Sequence, residues 1–542
     1  MDQFISVDAY HVSKQMAGPS ACSPLDDVTI QLLVSLILPI PFLTPKDSTM
    51  LFWMLAFCVQ LTSLVQDSPI EAPLFQVVDL DLGEETLVRL SEAATAKLKL
   101  VSVNERRDSI RDAVRSAKVV VEINGEVATL ISGNYELPKR VGNPSNQVQI
   151  DCPITSGYNS NGTPESWGLL KRARIRIWPG DSPWMAPGSF SYPIRQRWFA
   201  TMTQMANEPS YVDGGEPASR KKIYYHCGLD IGGSEGQAEV IAATEGLIVS
   251  VGTVVLDEFK KDSPVEPRYD VVYLRDARGW FYRYSHLKSF DVSILPGRLV
   301  SQGDRIGFLG KEGGSGGWSH LHFEIKARQP SGSWGTQEGY AFLWEAYQRQ
   351  YQPSIIAVAR PHYLVKVGES LELDGSRSWS KDGSQLSYRW KLSDGQSVEG
   401  ARYLHRYNRP GSYSEILEVR DGTGNISYDF AAVQVHDPDN PSVTPPTTHA
   451  AYHPTLGIKP GDEVTFKVRS FGVSDPEETW DFGDGTRTVV VRSDGNAKIH
   501  DPNGYAVTTH VFAKPGVYIV RVERTDRGYP SLAHLVVTVG NG

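Results

Sequence analysis

The stretch SHLHFEI, at residues 319–325, alternates polar and apolar residues from His320 onward. On a β-strand, residues two apart share a face, so His320, His322 and Glu324 are predicted to project to one side. The Leu, Phe and Ile between them would pack into a core. The two imidazoles, about 6.6 Å apart along the backbone, would then enter one cleft. The pattern predicts a strand that carries a functional site.

A second motif, HCGLD at residues 226–230, places His226 and Asp230 four positions apart. Gly228 between them disfavours a helix, and a straight strand would hold the two side chains about 13 Å apart. We therefore expect the chain to bend at Gly228, so that both side chains reach one ion. Together with His322 they would supply two imidazoles and a carboxylate, which leaves the fourth tetrahedral position of Zn²⁺ open, as in catalytic sites.

Two further histidines have no role as ligands in this scheme, namely His320 and His286 in YRYSHL. Imidazole titrates near neutral pH, so both suit proton transfer from water to a leaving amine and hydrogen bonding to an oxyanion. Glu324 is interpreted either as a partner that holds a ligand histidine or as a carboxylate that is solvated or at the edge of the core. Cys227 is interpreted as a small buried residue and not as a ligand.

The motifs HxGxD, YxHL and HLHFE occur in the order found in the lysostaphin-type zinc metalloendopeptidases, and residues 188–330 resemble that family. The resemblance implies a narrow antiparallel β-sheet of the duplicated hybrid motif type. It implies cleavage of peptide bonds in peptidoglycan cross-links, often at glycyl bonds. It also implies one Zn²⁺ per chain, bound by His226, Asp230 and His322, with His286 and His320 as the catalytic pair.

The chain departs from the family pattern in two places. Leu256–Arg268 is a charged insertion, and the glycine-rich stretch Gly313–Trp318 ends in a tryptophan. Both are expected to border the cleft and to alter specificity.

Two C-terminal stretches, 388–422 and 479–527, resemble each other. Each reads as a strand, an Asp-Gly turn, a second strand, and a Pro-Gly turn into an alternating strand. The segment WDFGDG in the second copy is similar to the signature of the PKD domain, an immunoglobulin-like β-sandwich. The resemblance implies sandwiches at 352–437 and 446–540, acting as spacers or binding a cell-surface polymer.

The N-terminal part, residues 68–185, is interpreted as a β-rich accessory domain. Asn124-Gly125 between two apolar runs predicts a two-residue hairpin turn. In RARIRIW, at residues 172–178, three arginines share one strand face, which is interpreted as a solvated face or as a grip for an anionic polymer. The metallopeptidase domain is expected at 188–346.

Composition agrees with an all-β multidomain chain. It has 542 residues with 49 Gly and 34 Pro, and the formal net charge of −9 disfavours nucleic acid as a partner. The four cysteines are too few for a disulfide scaffold, and a bond between Cys152 and Cys227 is not predicted.

Residues 1–66 contain two apolar stretches, 28–43 and 50–61, each shorter than a membrane-spanning helix needs. They are interpreted as an export signal or N-terminal anchor, with Met50 as an alternative start and Cys58 as a weak candidate for lipidation. The other interpretation is a buried helix of the first domain.

These observations predict a bacterial, secreted or periplasmic zinc metalloendopeptidase that acts on peptidoglycan peptides or glycine-rich peptides. Two alternatives remain open: a secreted peptidase of protein substrates, and a non-enzymatic surface adhesin or scaffold with a vestigial metal site. Since the five site residues lie before residue 352, we expect cleavage of a small peptide to be independent of residues 352–542.

Overall fold

The computed structural model describes residues 74–92, 94–144, 146–158, 166–211, 223–440, 443–473 and 477–540. All of them belong to one compact unit. The predicted export segment, residues 1–66, lies outside the described residues. Within these ranges, no helix is both long and apolar enough to cross a membrane.

The N-terminal module is a sandwich of two four-stranded sheets, with strand orders β1-β8-β7-β6 and β2-β3-β4-β5. Its strands are β1 (Gln76–Leu80), β2 (Glu85–Arg89), β3 (Thr95–Arg107), β4 (Val114–Ile123), β5 (Glu126–Gly133), β6 (Lys139–Val141), β7 (Val148–Thr155) and β8 (Ala173–Pro179). Alternating apolar residues of both sheets, such as Val119 and Ile175, form one core between them. The predicted hairpin at Asn124-Gly125 is confirmed, because β4 and β5 pair antiparallel across it and both turn residues have positive φ.

The interpretation of the RARIRIW face as solvated or polymer-binding is wrong for two of its arginines. The side chains of Arg174 and Arg176 are each 1% exposed. Arg174 donates two hydrogen bonds to Asp79, and Arg176 donates two to Asp151. A buried guanidinium needs such a bidentate partner, and the carboxylates come from strands that are distant in sequence.

The central module is built on an antiparallel sheet of nine strands, in the order β15-β14-β16-β17-β21-β12-β9, with β19 and β22 pairing off this path. A smaller sheet has the order β13-β20-β18, and β10 pairs with β11. The strands are β9 (Thr203–Gln204), β10 (Pro209–Tyr211), β11 (Ile223–Tyr225), β12 (Leu229–Gly232), β13 (Glu239–Ile241), β14 (Gly246–Val251), β15 (Val254–Val255), β16 (Val272–Arg275), β17 (Phe281–Ser285), β18 (Leu287–Phe290), β19 (Leu299–Val300), β20 (Arg305–Leu309), β21 (His320–Arg328) and β22 (Trp334–Gln337). A short 3₁₀ turn covers Asp257–Phe259, within the charged insertion.

One α-helix, α1 (Tyr340–Tyr351), follows the central sheet and was not expected from the sequence. Its buried face packs Phe342 against Trp280, in the turn before β17, and against Phe75 of the N-terminal module. The helix therefore joins the two modules through one aromatic core.

The two C-terminal modules are β-sandwiches, and they confirm the immunoglobulin-like repeats. The first contains β23 (Ile355–Ile356), β24 (Tyr363–Lys366), β25 (Ser370–Asp374), β26 (Trp379–Ser380), β27 (Ser387–Lys391), β28 (Ser397–Glu399), β29 (Arg402–Arg406), β30 (Gly411–Arg420) and β31 (Ile426–His436). The second contains β32 (Thr447–His453), β33 (Glu463–Phe471), β34 (Glu478–Asp481), β35 (Val489–Val491), β36 (Ala506–Val511), β37 (Gly516–Asp526) and β38 (Tyr529–Val539). Strand β30 meets β38 at one parallel bridge, Ser412 to Ser531, which links the sheets of the two sandwiches.

The strand-rich architecture confirms the all-β multidomain class. Trp390 and Trp480 occupy equivalent places in the two sandwich cores, and both are fully buried. Cys152 and Cys227 are buried free thiols.

Candidate metal centre

The centre is assembled by two neighbouring strands of the nine-stranded sheet. Strand β12 pairs antiparallel with β21, so that Asp230 lies opposite His322 and Gly232 lies opposite His320. On its other side, β21 pairs with β17, which ends opposite His322 and leads directly to His286. The alternation of SHLHFEI therefore places its histidines beside a carboxylate on one neighbour and beside an imidazole on the other.

The bend expected at Gly228 is present. Gly228 has φ +79°, and a Cβ atom there would lie 2.8 Å from the carbonyl oxygen of Phe323. Glycine alone accepts both the backbone angle and the close approach of strand β21. The bend turns His226 back toward Asp230, where the ring nitrogen Nδ1 donates to the carbonyl oxygen of Met205 at 3.2 Å. That hydrogen bond leaves Nε2 of His226 facing the centre.

Three donor atoms converge on one point. His226 Nε2 lies 3.0 Å from His322 Nδ1 and 3.1 Å from an Asp230 Oδ1 atom, which is itself 2.8 Å from His322 Nδ1. Tetrahedral zinc with ligand bonds of about 2.0–2.2 Å requires donor separations only slightly longer than these. All three side chains are buried. The donor set and its spacing fit a zinc ion.

The far side of His322 supports the same fit. Its Nε2 is buried without a hydrogen-bond partner and lies 3.9 Å from Glu324 Oε2. An Nε2 proton directed at that carboxylate leaves Nδ1 as the lone-pair donor to a metal. Glu324 is fully buried and accepts a hydrogen bond from Thr336 at 2.9 Å. Of the two interpretations of Glu324, the structure therefore favours a carboxylate that holds a ligand histidine.

The close approach of Asp230 to the imidazoles shifts the pKa values of these groups. Burial alone would raise the pKa of Asp230, but the close imidazoles of His226, His320 and His322 hold it well below its ordinary value. For His226, burial opposes protonation, while the Asp230 charge prevails and raises the pKa. Asp230 is thus an anion in the folded protein, as a metal ligand must be.

His286 adjoins the three ligands from the end of strand β17. Its backbone has φ +67°, a strained angle for histidine, and its N–H donates to Asp270 Oδ2 at 2.9 Å. Its Nδ1 donates to the carbonyl oxygen of Glu312 at 2.6 Å. Burial is the first cause of a lowered pKa for His286. The ring is therefore neutral near pH 7, with Nε2 as its free acceptor.

His320 is oriented in the same way. Its Nδ1 donates to the carbonyl oxygen of Trp318 at 3.1 Å, and its Nε2 lies 3.4 Å from Asp230 Oδ2. The rings of His286 and His320 are 4.6 Å apart between centroids. Burial lowers the pKa of His320 well below its ordinary value. The structure thus brings all five histidine and aspartate candidates together.

Sequence reasoning missed the groups that hold these histidines. Asp270 is 1% exposed, forms an ion pair with Arg268 and orients His286. The sequence did contain a signal for Asp270, because a carboxylate directly before the buried stretch VVYLR is unusual. Arg268 closes the charged insertion, which therefore does border the centre, while Cys227 points to Tyr224 at 3.6 Å and takes no place among the three donors.

A cavity of about 470 Å³ is lined by Trp318, whose ring stacks on His320, and by none of the five site residues themselves. Its walls include Gln204 beside Asp230 in the sheet register, Tyr363 and Ala432 of the first sandwich, and Thr448 of the second. This volume is typical of sites for small ligands or short peptide segments.

An antiparallel sheet that gathers two imidazoles and a carboxylate, with two more imidazoles at its side, is an arrangement that suits a metallopeptidase. Residues 224–332 match Peptidase family M23, and residues 352–435 and 449–539 match two PKD domain families. The chain therefore carries a domain of peptidase family M23 followed by two PKD domains, which confirms both resemblances.

Curated relatives include two bacterial collagenases. The chain is 29% identical to collagenase ColQ1 of Bacillus cereus over 178 residues, which cover 30% of this chain and 18% of that protein. It is 33% identical to collagenase ColA of Clostridium perfringens over 79 residues, or 15% of this chain and 7% of that protein. The chain thus spans less than a fifth of either relative.

Among solved structures, Helicobacter pylori Csd3 covers 51% of this chain and 82% of its own, at 14% identity and a TM-score of 0.20. That score is too low for the two folds to be treated as equivalent.

Proposed function

We propose that this protein is an extracytoplasmic zinc endopeptidase that hydrolyses peptide bonds in peptidoglycan cross-links. The observation that carries the proposal is the convergence of the His226, Asp230 and His322 donor atoms within 4.8 Å of one another, beside two neutral imidazoles. Membership of peptidase family M23 supports a peptidase, and the PKD domains support an extracellular location.

Zinc held by the three ligands would lower the pKa of a bound water and polarise the carbonyl of the scissile bond. The chain's own contribution is proton transfer. His286 and His320 each have Nδ1 committed to a carbonyl oxygen, so each offers Nε2 as a proton acceptor. The imidazole that takes the proton of the attacking water then becomes the donor that returns it to the leaving amine. The other imidazole would hydrogen-bond the oxyanion as an imidazolium, after its Nε2 has taken up a proton from solvent.

The substrate assignment rests on the family resemblance and on the cavity beside Trp318. That cavity has an aromatic wall, and the carboxylate in its wall already has hydrogen-bond partners. It therefore suits an uncharged, extended peptide. Glu208 in its wall already accepts hydrogen bonds from the backbone of Met205 and His362. Glycyl and alanyl segments, which lack bulky side chains, fit this description.

A second candidate is the hydrolysis of an extracellular protein. The partial similarity to two collagenases favours it, since both are named for the hydrolysis of a protein. An adhesin with a vestigial site is less well supported, because all five side chains converge.

The test is digestion of purified bacterial sacculi, with mass spectrometry of the released muropeptides and gelatin treated in parallel. We expect new termini within the peptide cross-links, loss of cleavage with a chelator, and recovery with added zinc. Cleavage of gelatin with intact sacculi would favour the second candidate instead. No cleavage of either substrate by the zinc-loaded protein would contradict both.

A further inference from the structure

The second PKD domain contacts the segment that leads into strand β21. Its side chains bind three backbone carbonyl oxygens of the glycine-rich segment 311–318. His500 donates to Lys311, Asn496 to Gly316, and Arg469 to Gly317, at 3.0, 3.2 and 2.5 Å. These residues belong to the loop between β35 and β36 and to strand β33.

Arg469 is the main anchor. It is fully buried, pairs with both oxygens of Asp494, and donates to the carbonyl oxygens of Lys498 and Ile499. One of its nitrogens reaches across to Gly317. Gly317 has φ +91°, and a Cβ atom there would lie 2.1 Å from Asn496 Oδ1. The glycine-rich segment is thus shaped to accept the second PKD domain.

A buried chain of hydrogen bonds begins at the residue before His320. The backbone N–H of Ser319 donates to the Tyr505 hydroxyl at 2.7 Å, and that hydroxyl lies 2.8 Å from His449 Nδ1. The other ring nitrogen of His449 lies 3.3 Å from the Thr201 hydroxyl of the peptidase domain. Since the Tyr505 oxygen accepts from Ser319, its own proton goes to His449.

Trp318 completes the contact. Its ring stacks on His320, with centroids 3.9 Å apart and planes 19° apart. Its edge meets His449 of the second PKD domain at 5.3 Å. The carbonyl of Trp318 also fixes the Nδ1 proton of His320. The orientation of His320 therefore depends on Trp318, which lies between it and the second PKD domain.

We propose that the second PKD domain positions the catalytic centre, holding the 311–319 segment so that Trp318 orients His320. The proposal rests on the proposed function, in which His320 transfers protons. Tyr505, Arg469 and His449 are positioning residues, because they touch the segment and not the reacting atoms. The contacts argue against the expectation that cleavage of a small peptide is independent of residues 352–542.

The experiment compares Tyr505→Phe with Tyr452→Phe in the full chain. Each substitution removes one buried hydroxyl from the same domain, but Tyr452 donates to Val536 and does not touch the 311–319 segment. For Tyr505→Phe we expect kcat to fall roughly 10- to 100-fold with KM and bound zinc unchanged, because misplacement of a catalytic group acts on the chemical step. For Tyr452→Phe we expect kcat within about twofold of the parent protein.

Hydrogen exchange of the amides in 311–320 gives a readout independent of activity. Tyr505→Phe should speed exchange in this segment, and Tyr452→Phe should not. Unchanged protection in Tyr505→Phe, or faster exchange with unchanged kcat, would overturn the proposal. If the parent protein cleaves no peptide, the proposed function fails, whereas the exchange comparison still decides whether the domain holds the segment.

A milder variant covers the case in which Tyr505→Phe does not fold. Asn496→Gly removes the hydrogen bond to Gly316 and tolerates the positive φ of 61° at that position. We expect a smaller change in the same direction, a kcat lowered about threefold with faster exchange in the segment. Equal exchange in this variant and the parent protein would also overturn the proposal.

Discussion

The two PKD domains have the same fold but differ in how they meet the peptidase domain. The first is joined through Arg360, which donates to the carbonyl oxygens of Phe199 and Thr201, and through Arg377, which pairs with Glu136 of the N-terminal module. Among the described residues, no hydrogen bond of the first PKD domain reaches 311–322. The second binds that segment directly. Two copies of one module thus make different contacts: the first supports the side of the peptidase domain, and the second holds the segment before His320.

The difference arises from a few side chains. The signature tryptophans Trp390 and Trp480 are equally buried, so the cores do not distinguish the copies. What distinguishes them is Arg469 with Tyr505 and the loop that carries Asn496 and His500, which meet a glycine-rich partner. A repeat acquires a new role by changing its surface while its core stays intact.

The largest effects are expected from substitutions within the metal centre itself. The effects of substitutions in the two PKD domains are compared with these. His322→Ala should lose most of the bound zinc, because two remaining ligands form a poor site. His320→Ala should keep about one zinc per chain and lose roughly 10²–10⁴ in kcat. Zinc content and peptide cleavage measured on both variants check this. Zinc lost from the His320 variant and kept by the His322 variant would reverse the assigned roles.

The anchors of the two domains should differ in stability. Arg469→Ala leaves Asp494 without its buried partner, so we expect a loss of about 3–5 kcal/mol in the free energy of unfolding. Arg377→Ala breaks a partly exposed pair with Glu136, which contributes below about 1 kcal/mol. Denaturant unfolding of both variants makes the comparison. Equal losses would mean that the two domains are anchored alike.

Acid should weaken the contact at His449 of the second PKD domain more than the surroundings of His405 in the first PKD domain. Burial lowers the pKa of His449 to about 3, whereas the unfolded imidazole takes up a proton below about pH 6.5. Because the unfolded state then binds more protons, stability falls as pH drops from 6.5 toward 3, by up to about 1.4 kcal/mol per pH unit.

His449→Gln should therefore flatten the acid side of the stability profile. In the first domain, burial also lowers the pKa of His405, but the charge of Asp394 opposes the shift, so His405→Gln should flatten it less. Denaturant unfolding between pH 5 and 7 tests both variants. A steeper loss of stability with falling pH in His449→Gln than in the parent protein would contradict the predicted direction of the effect.

The smallest effect is expected where the first domain lines the cavity. Ala432→Trp fills part of that space and should raise KM for an extended peptide about tenfold, with kcat and the cleavage of a short peptide unchanged. Ala432→Ser changes the volume little and serves as the control. A fall in kcat on the short peptide would show that the first domain also acts on the chemical step.

Local patterns predicted the centre because its ligands lie on short, regular elements. The alternation of SHLHFEI and the glycine in HCGLD are readable without any tertiary information. The burial of Arg174 and Arg176 could not be read in this way, since their carboxylates come from strands β1 and β7. The docking of the second PKD domain was equally hidden, because Tyr505 and Gly317 carry no periodic signal and meet only in the folded chain.

The bond from Ser319 to Tyr505 joins residues 186 positions apart. A ribosome adds about 5–20 residues per second, so Ser319 is made roughly 10–40 s before its partner. During that interval the nascent chain already contains every metal ligand. It does not yet contain the Tyr505 hydroxyl, which accepts the hydrogen bond from the backbone N–H of Ser319. If the second PKD domain positions His320 as proposed, the centre is completed only after that domain has been synthesised.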